Sequence, residues 1–401
     1  MQLSPWPYFA DDEIVAVEEV LRSGKVNYWT GNQCRLFEQE FAAFIGADYA
    51  ISLSNGTVSL ELALRACGIG DGDEVITTPR TFIASASAIV AVGATPILAD
   101  VDPVYGNICV KRIEKKLTAK TKAIIPVHLA GMPCDLDAII NLAQTHDLYV
   151  IEDCAQAHGA KYKGRKVGSI GHFGSFSFCQ DKIMTTGGEG GMLVCNDETL
   201  YKKAWSYKDH GKDYEAVFHQ HHAPGFRWLH HSFGSNMRMT EMQAAIGLKQ
   251  LLKLPGWLKR RNEIAQIYSS TFSELEVVCT PSIPNDCYHA FYKYYLTVNE
   301  YALAEGWSRD RIIEEIGKKG IPIYSGSCSE IYLERAFVDS DFKQDQALPV
   351  AKDLGRRSLM LLCHPTLTDY EVKEIIAVVS ATLKQAAALQ YFDAGFSLIR
   401  E

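Results

Sequence analysis

From Tyr49 to Asp153 the chain repeats one phrase, a short apolar run followed by a longer run with apolar residues three and four apart. "YAISLS" leads into "TVSLELALRACG", "EVITT" into "TFIASASAIVAVG", "TPILAD" into "RIEKKLT" and "KAIIPVHL" into "DLDAIINLAQTHD", and "LYVIED" closes the series. Strands alternating with helices predict an α/β fold, a mostly parallel sheet covered by helices on both faces. Ligands of such sheets bind outside the C-terminal ends of the strands. The residues that follow Ser54 and Ile151 therefore come first in a search for chemistry.

Around this series the pattern changes. Residues 11–22 and Leu36–Gly46 have helical spacing, with Gly46 as a stop signal. A long helical region starts at Thr240 and is expected to break at Pro255 and Gly256. Beyond "TPSIPND", a strand is expected within Phe291–Val298, a helix over "SRDRIIEEIGKKG" and a last helix over "DYEVKEIIAVVSATLKQAAAL". This divides the chain into a large domain, 1–255, and a smaller α+β C-terminal domain, 256–401. With 401 residues, the chain can bury a sizeable core.

Bulk properties exclude several classes. The formal charge is −8, and the densest basic stretch, Lys259, Arg260 and Arg261, lies on a predicted helix, so nucleic acid is not an expected partner. The 11 cysteines are scattered without a CxxC pair. That fits reduced thiols in a cytoplasm better than disulfides or a zinc ribbon. The start, "MQLSPWPYFADDE", lacks a basic stretch followed by an apolar run, which argues against a signal peptide. No apolar stretch approaches the ~20 residues of a membrane span.

Three motifs carry chemistry. In "LSNGTVSLEL" a strand ends at Ser54 and a helix starts near Thr57, with Asn55 and Gly56 in the turn. Free N–H groups at that start form an anion site, and Thr57 adds a hydroxyl. Ordinary N-capping needs the same residue types and stays open as a reading. In "VIEDCAQAHGA", Glu152 and Asp153 end a buried strand, with Gln156 and His158 just beyond. Asp153 could hold a positive ring nitrogen by a charged hydrogen bond, or it could bind a metal or cap a helix. In "SFSFCQDKIMTTGGEGG", Ser175 and Ser177 alternate with Phe176 and Phe178, and Lys182 follows. A lysine desolvated there has its amine freed as a nucleophile. A phosphate turn, an acid at a strand end and a lysine, in that order, are what pyridoxal phosphate chemistry requires.

The residues that carry these features resemble the DegT/DnrJ/EryC1/StrS sugar aminotransferases, a fold-type I family using pyridoxal 5'-phosphate. The resemblance runs from "GKVNYWTG" to "HPTLTDYEV" and includes "GDGDEVITTPRTFIASASAI", "PVHLAG" and "GSNMRMTEMQAAIG". It implies that Lys182 carries the cofactor and that Asp153 pairs with its pyridine nitrogen. It further implies that Gln156 lies near the phenolic oxygen, that Phe82 stacks on the ring, and that Gly56, Thr57 and Ser177 touch the phosphate. Asn236 would contact the phosphate bound by a partner subunit, so the active site of a homodimer would be shared. Gln180–Asp181 before the lysine and the doubled Gly187–Gly188 depart from many relatives. A dehydratase branch has histidine in place of the lysine, so Lys182 favours transamination.

The expected reaction is amination of a nucleotide-linked keto sugar, with glutamate as donor and a UDP-4-keto-6-deoxy-N-acetylhexosamine as first substrate, for surface polysaccharide such as lipopolysaccharide O-antigen. The rival readings are another pyridoxal phosphate reaction, such as dehydration or another lyase, and a non-catalytic regulator that binds cofactor or sugar. Weaker substrate candidates are Arg227, Trp228 and His231 in "RWLHHSF", and Tyr324, Ser327 and Tyr332 in "GKKGIPIYSGSCSEIYLE". The six histidines between His210 and His231 match no standard metal spacing, and no metal is expected. "GIGDGD" follows a helix, as a C-cap and turn would, instead of opening one.

Overall fold

The computed structural model describes residues 3–388. Its central sheet has seven strands in the order Tyr49–Leu53, Gly191–Cys195, Phe173–Ser177, Tyr149–Asp153, Thr121–Ile124, Glu74–Thr77 and Thr95–Leu98. Six run in one direction, and Gly191–Cys195 runs against both of its neighbours. The alternating βα phrase therefore yields the parallel part of the sheet. The antiparallel strand "GMLVC" has no expectation from sequence, because all five of its residues are buried and no polar/apolar alternation marks it.

Side chains leave a strand on alternate faces, and the core follows that rule. Ala50, Ile76, Ile124 and Val150 join one apolar cluster. Ile51, Val75, Ala123 and Ile151 join the cluster on the other face. The same alternation separates Glu152 from Asp153. Asp153 pairs in register with Ser175, and Ser177 lies two residues further on the same face. Helix Gly56–Ala66 supplies Leu60, Leu62 and Ala63 to the cluster on that side.

Pro255 does not break the long helix. Glu241–Phe272 is one helix of 32 residues, opened by a Thr240/Gln243 capping box. An internal proline costs about 3 kcal/mol. Leu251, Leu254 and Leu258 bury on the large core and Ile264, Tyr268 and Phe272 on the C-terminal core. At roughly 1.5–3 kcal/mol for each fully buried large apolar side chain, that packing outweighs the proline. The expected boundary at 255/256 thus falls inside a continuous helix.

The C-terminal part is an antiparallel sheet ordered Val278–Cys279, Tyr294–Val298, Ser358–Leu361 and Ile323–Tyr324. Helices Arg309–Lys318 and Asp369–Ala386 pack on it through Ile312, Ile316, Val372, Ile375 and Val379. The sequence pattern gives both helices and the Tyr294–Val298 strand, but not Ser358–Leu361. The N-terminal segment is tied to this part, because Ser4 Oγ donates to Glu371 Oε2 at 3.0 Å. Among the described residues no helix is long and apolar enough to cross a membrane.

Candidate active site

Asp153 ends its strand at 6% exposure. Its Oδ2 accepts from Ser85 Oγ at 2.8 Å and its Oδ1 from Ala155 N at 3.1 Å. No cation lies within ion-pair distance among the described residues. Burial therefore pushes its carboxyl above the usual range, against the opposing pull of Ser85, Ala155 and the Lys182 charge. A buried carboxylate of this kind suits a positive N–H donor arriving with a ligand.

Glu152, on the opposite face, is fully committed to structure. It accepts from His128 Nε2 at 3.1 Å, from Gly168 N and Ile170 N at 2.8 Å, and from Gly171 N at 2.7 Å. Burial pushes its carboxyl up, but His128 and these N–H groups outweigh burial and hold it below the usual range. His128, Glu152 and Cys154 are also the one group of potential metal ligands among the described residues. The histidines between His210 and His231 form no such group there.

The turn after Ser54 is built as a cradle. Asn55 caps the helix, with its Oδ1 accepting from Val58 N at 3.0 Å. The N–H groups of Gly56 and Thr57 precede the first intrahelical acceptor. Gly56 is packed onto Ser177, where a Cβ would stand 2.6 Å from Ser177 Cβ and 3.1 Å from its Cα. Asn55 thus acts as the N-cap, and the N–H groups of Gly56 and Thr57 lie outside that cap contact.

Lys182 leaves the strand end through a loop closed on itself. Thr185 Oγ1 donates to Phe178 O at 2.8 Å, and Thr186 Oγ1 to Glu189 O at 2.6 Å. Gly187 and Gly188 take φ of +89° and +119°, which side-chain-bearing residues rarely adopt. The Lys182 side chain is 16% exposed, and its Nζ stands 3.7 Å from Asp181 Oδ1 and 5.0 Å from the Tyr292 ring centre. Trp6 Nε1 donates to Lys182 O at 2.9 Å. The Tyr292 hydroxyl donates to Asp181. Burial pushes that hydroxyl well up, so it stays protonated. Asp181 is itself held below its usual range, because the Lys182 charge and Tyr292 outweigh its burial.

The remaining candidates divide. Gln156 is buried, with its Oε1 accepting from Ala130 N at 2.7 Å. Phe82 is 69% exposed, a free ring face two positions after Arg80. His158 is buried against Phe176 and Phe178, and burial pushes its ring down to about 3, so it is neutral. Asn236 is exposed and pairs with Asp209, and the neighbouring Met237 O accepts from Ser54 N at 2.9 Å. Arg227, Trp228 and His231 lie on an exposed surface segment, with His231 Nδ1 at 3.5 Å from Asp213. Tyr324 is exposed, and Ser327 N donates to Tyr295 Oη at 2.8 Å. Tyr332 is 3% exposed within a packed cluster, its hydroxyl donating to Glu330 and accepting from Leu348 N.

Sequence reasoning missed Ser85, Ala130 and Tyr292. Ser85 follows Phe82 by three residues and lies in the first turn of helix Ala84–Ala91, which is a detectable signal. Tyr292 comes from the C-terminal part, and only the tertiary fold brings it to Lys182. A groove of about 930 Å³ between helices Asp11–Ser23, Gln33–Ile45 and Glu241–Phe272 is lined by none of these residues.

Comparison with known proteins decides the family. The profile of the DegT/DnrJ/EryC1/StrS aminotransferase family matches residues 7–380. The chain belongs to that family. GDP-perosamine synthase of Escherichia coli O157:H7 is 41% identical over 346 residues, covering 85% of this chain and 88% of that protein. The crystal structure of an aminotransferase from Psychrobacter cryohalolentis is 54% identical, with a TM-score of 0.95 over 96% of this chain and all of that one. A putative sugar aminotransferase of Streptococcus pneumoniae, solved in PLP and PMP forms, is 28–29% identical with TM-scores of 0.85 and 0.86, over 96–97% of this chain and 99–100% of that one. This family member is thus a pyridoxal phosphate-dependent sugar aminotransferase with the fold-type I architecture.

The residues fit that cofactor. Asp153 is a buried carboxylate without an ion-pair partner among the described residues, Gly56 sits so close to Ser177 that a Cβ would collide with it, and the Lys182 amine is sheltered.

Proposed function

We propose that this family member aminates a UDP-linked 4-keto-6-deoxy-N-acetylhexosamine, takes its amino group from glutamate, and supplies surface polysaccharide synthesis. The observation that carries its cofactor chemistry is Asp153, a buried carboxylate with no ion-pair partner among the described residues, on the face it shares with Ser175 and Ser177. The similarity to a GDP-perosamine synthase supports a nucleotide-linked sugar.

The residues then take these roles. Bound pyridoxal phosphate supplies an electron sink for a carbanion next to the reacting nitrogen. Asp153 would hold the ring nitrogen and its proton, with Ser85 and Ala155 fixing the carboxylate. Gly56, Thr57 and Ser177 bind the phosphate. Phe82 and Gln156, the latter held by Ala130 N, would help to hold the cofactor ring. Lys182 Nζ would hold the cofactor, and its free amine would take and return a proton beside it. Asp181 and Tyr292 keep that amine close when it is free.

The proposed working unit is a cytoplasmic homodimer in which Asn236 reaches the partner's phosphate site. Exposure of Phe226, Trp228 and Phe233, each at least three-quarters free, supports a covered surface there. Arg227, Trp228 and His231, with Tyr324 and Ser327, remain the proposed sugar and nucleotide contacts. The test is turnover with glutamate on a panel of UDP-, GDP- and dTDP-linked 4-keto-6-deoxy sugars. The proposal expects the highest kcat/KM on the UDP-linked N-acetylhexosamine. A tenfold preference for a sugar without the acetamido group would overturn that substrate.

A further inference from the structure

Arg80 is a buried cation that the reaction described above does not use. It follows the strand Glu74–Thr77 and is 5% exposed. Among the described residues its guanidinium makes one hydrogen bond, from Nη2 to Ser358 Oγ at 2.6 Å. Its Nε is buried with no acceptor. No carboxylate pairs with it among the described residues, and the π face of Tyr295, 5.4 Å away, is the compensating group. Burial depresses its pKa, yet a guanidinium keeps its proton in proteins. A full positive charge is thus held with a single side-chain hydrogen bond and a buried, unpaired Nε, an arrangement that an anion would relieve.

The space for that anion is present. Arg80 lines a cavity of about 250 Å³ between the large sheet and the C-terminal part. Thr280, Ser282, Thr297 and Ser358 add hydroxyl groups to its wall. Arg357 lines it too, but its guanidinium is engaged by Asp353 and Val298 O. His289, also in the wall, is held neutral by burial, which pushes its ring down to about 3. None of Gly56, Thr57, Asp153, Gln156, Ser177 or Lys182 borders the cavity.

We infer that this cavity is a binding site for a small oxyanion, a phosphate or a carboxylate, with the Arg80 guanidinium as its principal partner. The wall facing the active site is formed by Ala130 and Phe291, which hold φ of +56° and +45°. Tyr292 N donates to Ala130 O at 2.9 Å, and Ala130 N donates to Gln156. An anion bound here would share the cavity with the backbone that positions both Gln156 and Tyr292. The inference stands on Arg80 and the cavity alone and does not depend on which sugar is aminated.

The test uses the cofactor-loaded protein, so that the cofactor's own phosphate site is filled. Inorganic phosphate, and acetate in a separate arm, are titrated calorimetrically against wild type and Arg80→Met, with chloride at matched ionic strength as control. The expected result is saturable binding that weakens about tenfold or more in Arg80→Met. The arm that saturates at lower concentration identifies the source as phosphate or carboxylate. Equal binding by the two proteins, or none by wild type in either arm, overturns the site. Where Arg80→Met does not fold, a wild-type crystal soaked in selenate decides. Anomalous density within hydrogen-bond reach of Arg80 supports the site, and an empty cavity beside a filled cofactor site overturns it.

Discussion

Replacing Gly56 by alanine tests the cradle through the sign of one number. Gly56 is the first residue of its helix and is not among the glycines with positive φ, so alanine suits its backbone. In a helix interior the change would stabilise by about 0.8–1.0 kcal/mol, and by less at the first position. Space opposes it. The new Cβ would stand 2.6 Å from Ser177 Cβ, 3.1 Å from Ser177 Oγ and 3.1 Å from its Cα. Carbon atoms in good contact are about 3.5–4.0 Å apart, so one element must move by about 1 Å. Rotating Ser177 relieves the Oγ contact but neither carbon contact. Overpacking of this kind costs about 1–3 kcal/mol, which exceeds the helical gain. The cofactor-free variant should therefore lose about 1–2 kcal/mol, or about 1–2.5 °C in Tm followed by circular dichroism. Pyridoxal phosphate titration should show about 10- to 100-fold weaker binding, the scale expected for a 1 Å misplacement. Adding Ser177→Gly removes the closest contact, so the double variant should be more stable than the sum of the single effects by at least about 0.5 kcal/mol. A Gly56→Ala protein as stable as wild type, or purely additive variants, would refute the argument that the turn is wedged on Ser177.

Other outcomes follow from the same geometry. Asp153→Asn keeps the Ser85 contact and removes the charge, so activity should fall by at least about 100-fold while KM for the sugar changes little. Because burial raises the Asp153 carboxyl in the folded chain, its ionised form opposes folding as pH rises through the folded value. Cofactor-free Asp153→Asn should accordingly melt higher than wild type at neutral pH, and a lower Tm would contradict the burial argument. Glu152 has the opposite sign: its folded pKa is depressed, so its stabilisation is present above the ordinary glutamate range and is lost as pH falls through the folded value. Glu152→Gln should cost about 3–5 kcal/mol at pH 7 and flatten that acid limb, as read from urea unfolding at stepped pH. Ser85→Ala should lower kcat about tenfold or less, with the acid limb of the rate profile moved to higher pH, because the carboxylate loses a donor to its charged form. An unmoved limb would remove Ser85 from the positioning of Asp153.

Much of this arrangement is legible in the sequence because it is local. Strand–helix alternation gives the parallel sheet, and the Ser/Phe alternation before Lys182 places Ser175 and Ser177 on the Asp153 face. The legible parts depend on periods of two and 3.6 residues. The rest depends on contacts far apart in sequence. Pro255 sits in an unbroken helix because two cores grip the helix on either side of it. Tyr332 has a substrate-like neighbourhood in sequence, yet its hydroxyl closes a local network with Glu330 and Leu348. Tyr292 reaches Lys182 across 110 residues, and nothing near either residue announces the other.

The most direct test of the central claim, that Lys182 carries the cofactor and moves the amino group, is the near-ultraviolet and visible absorbance spectrum of the reconstituted protein before and after glutamate is added, for wild type and Lys182→Ala. The account predicts a lysine-dependent band in wild type that shifts to shorter wavelength with glutamate and is missing in Lys182→Ala. The same band in both proteins, or a wild-type band that no amino donor alters, would contradict it.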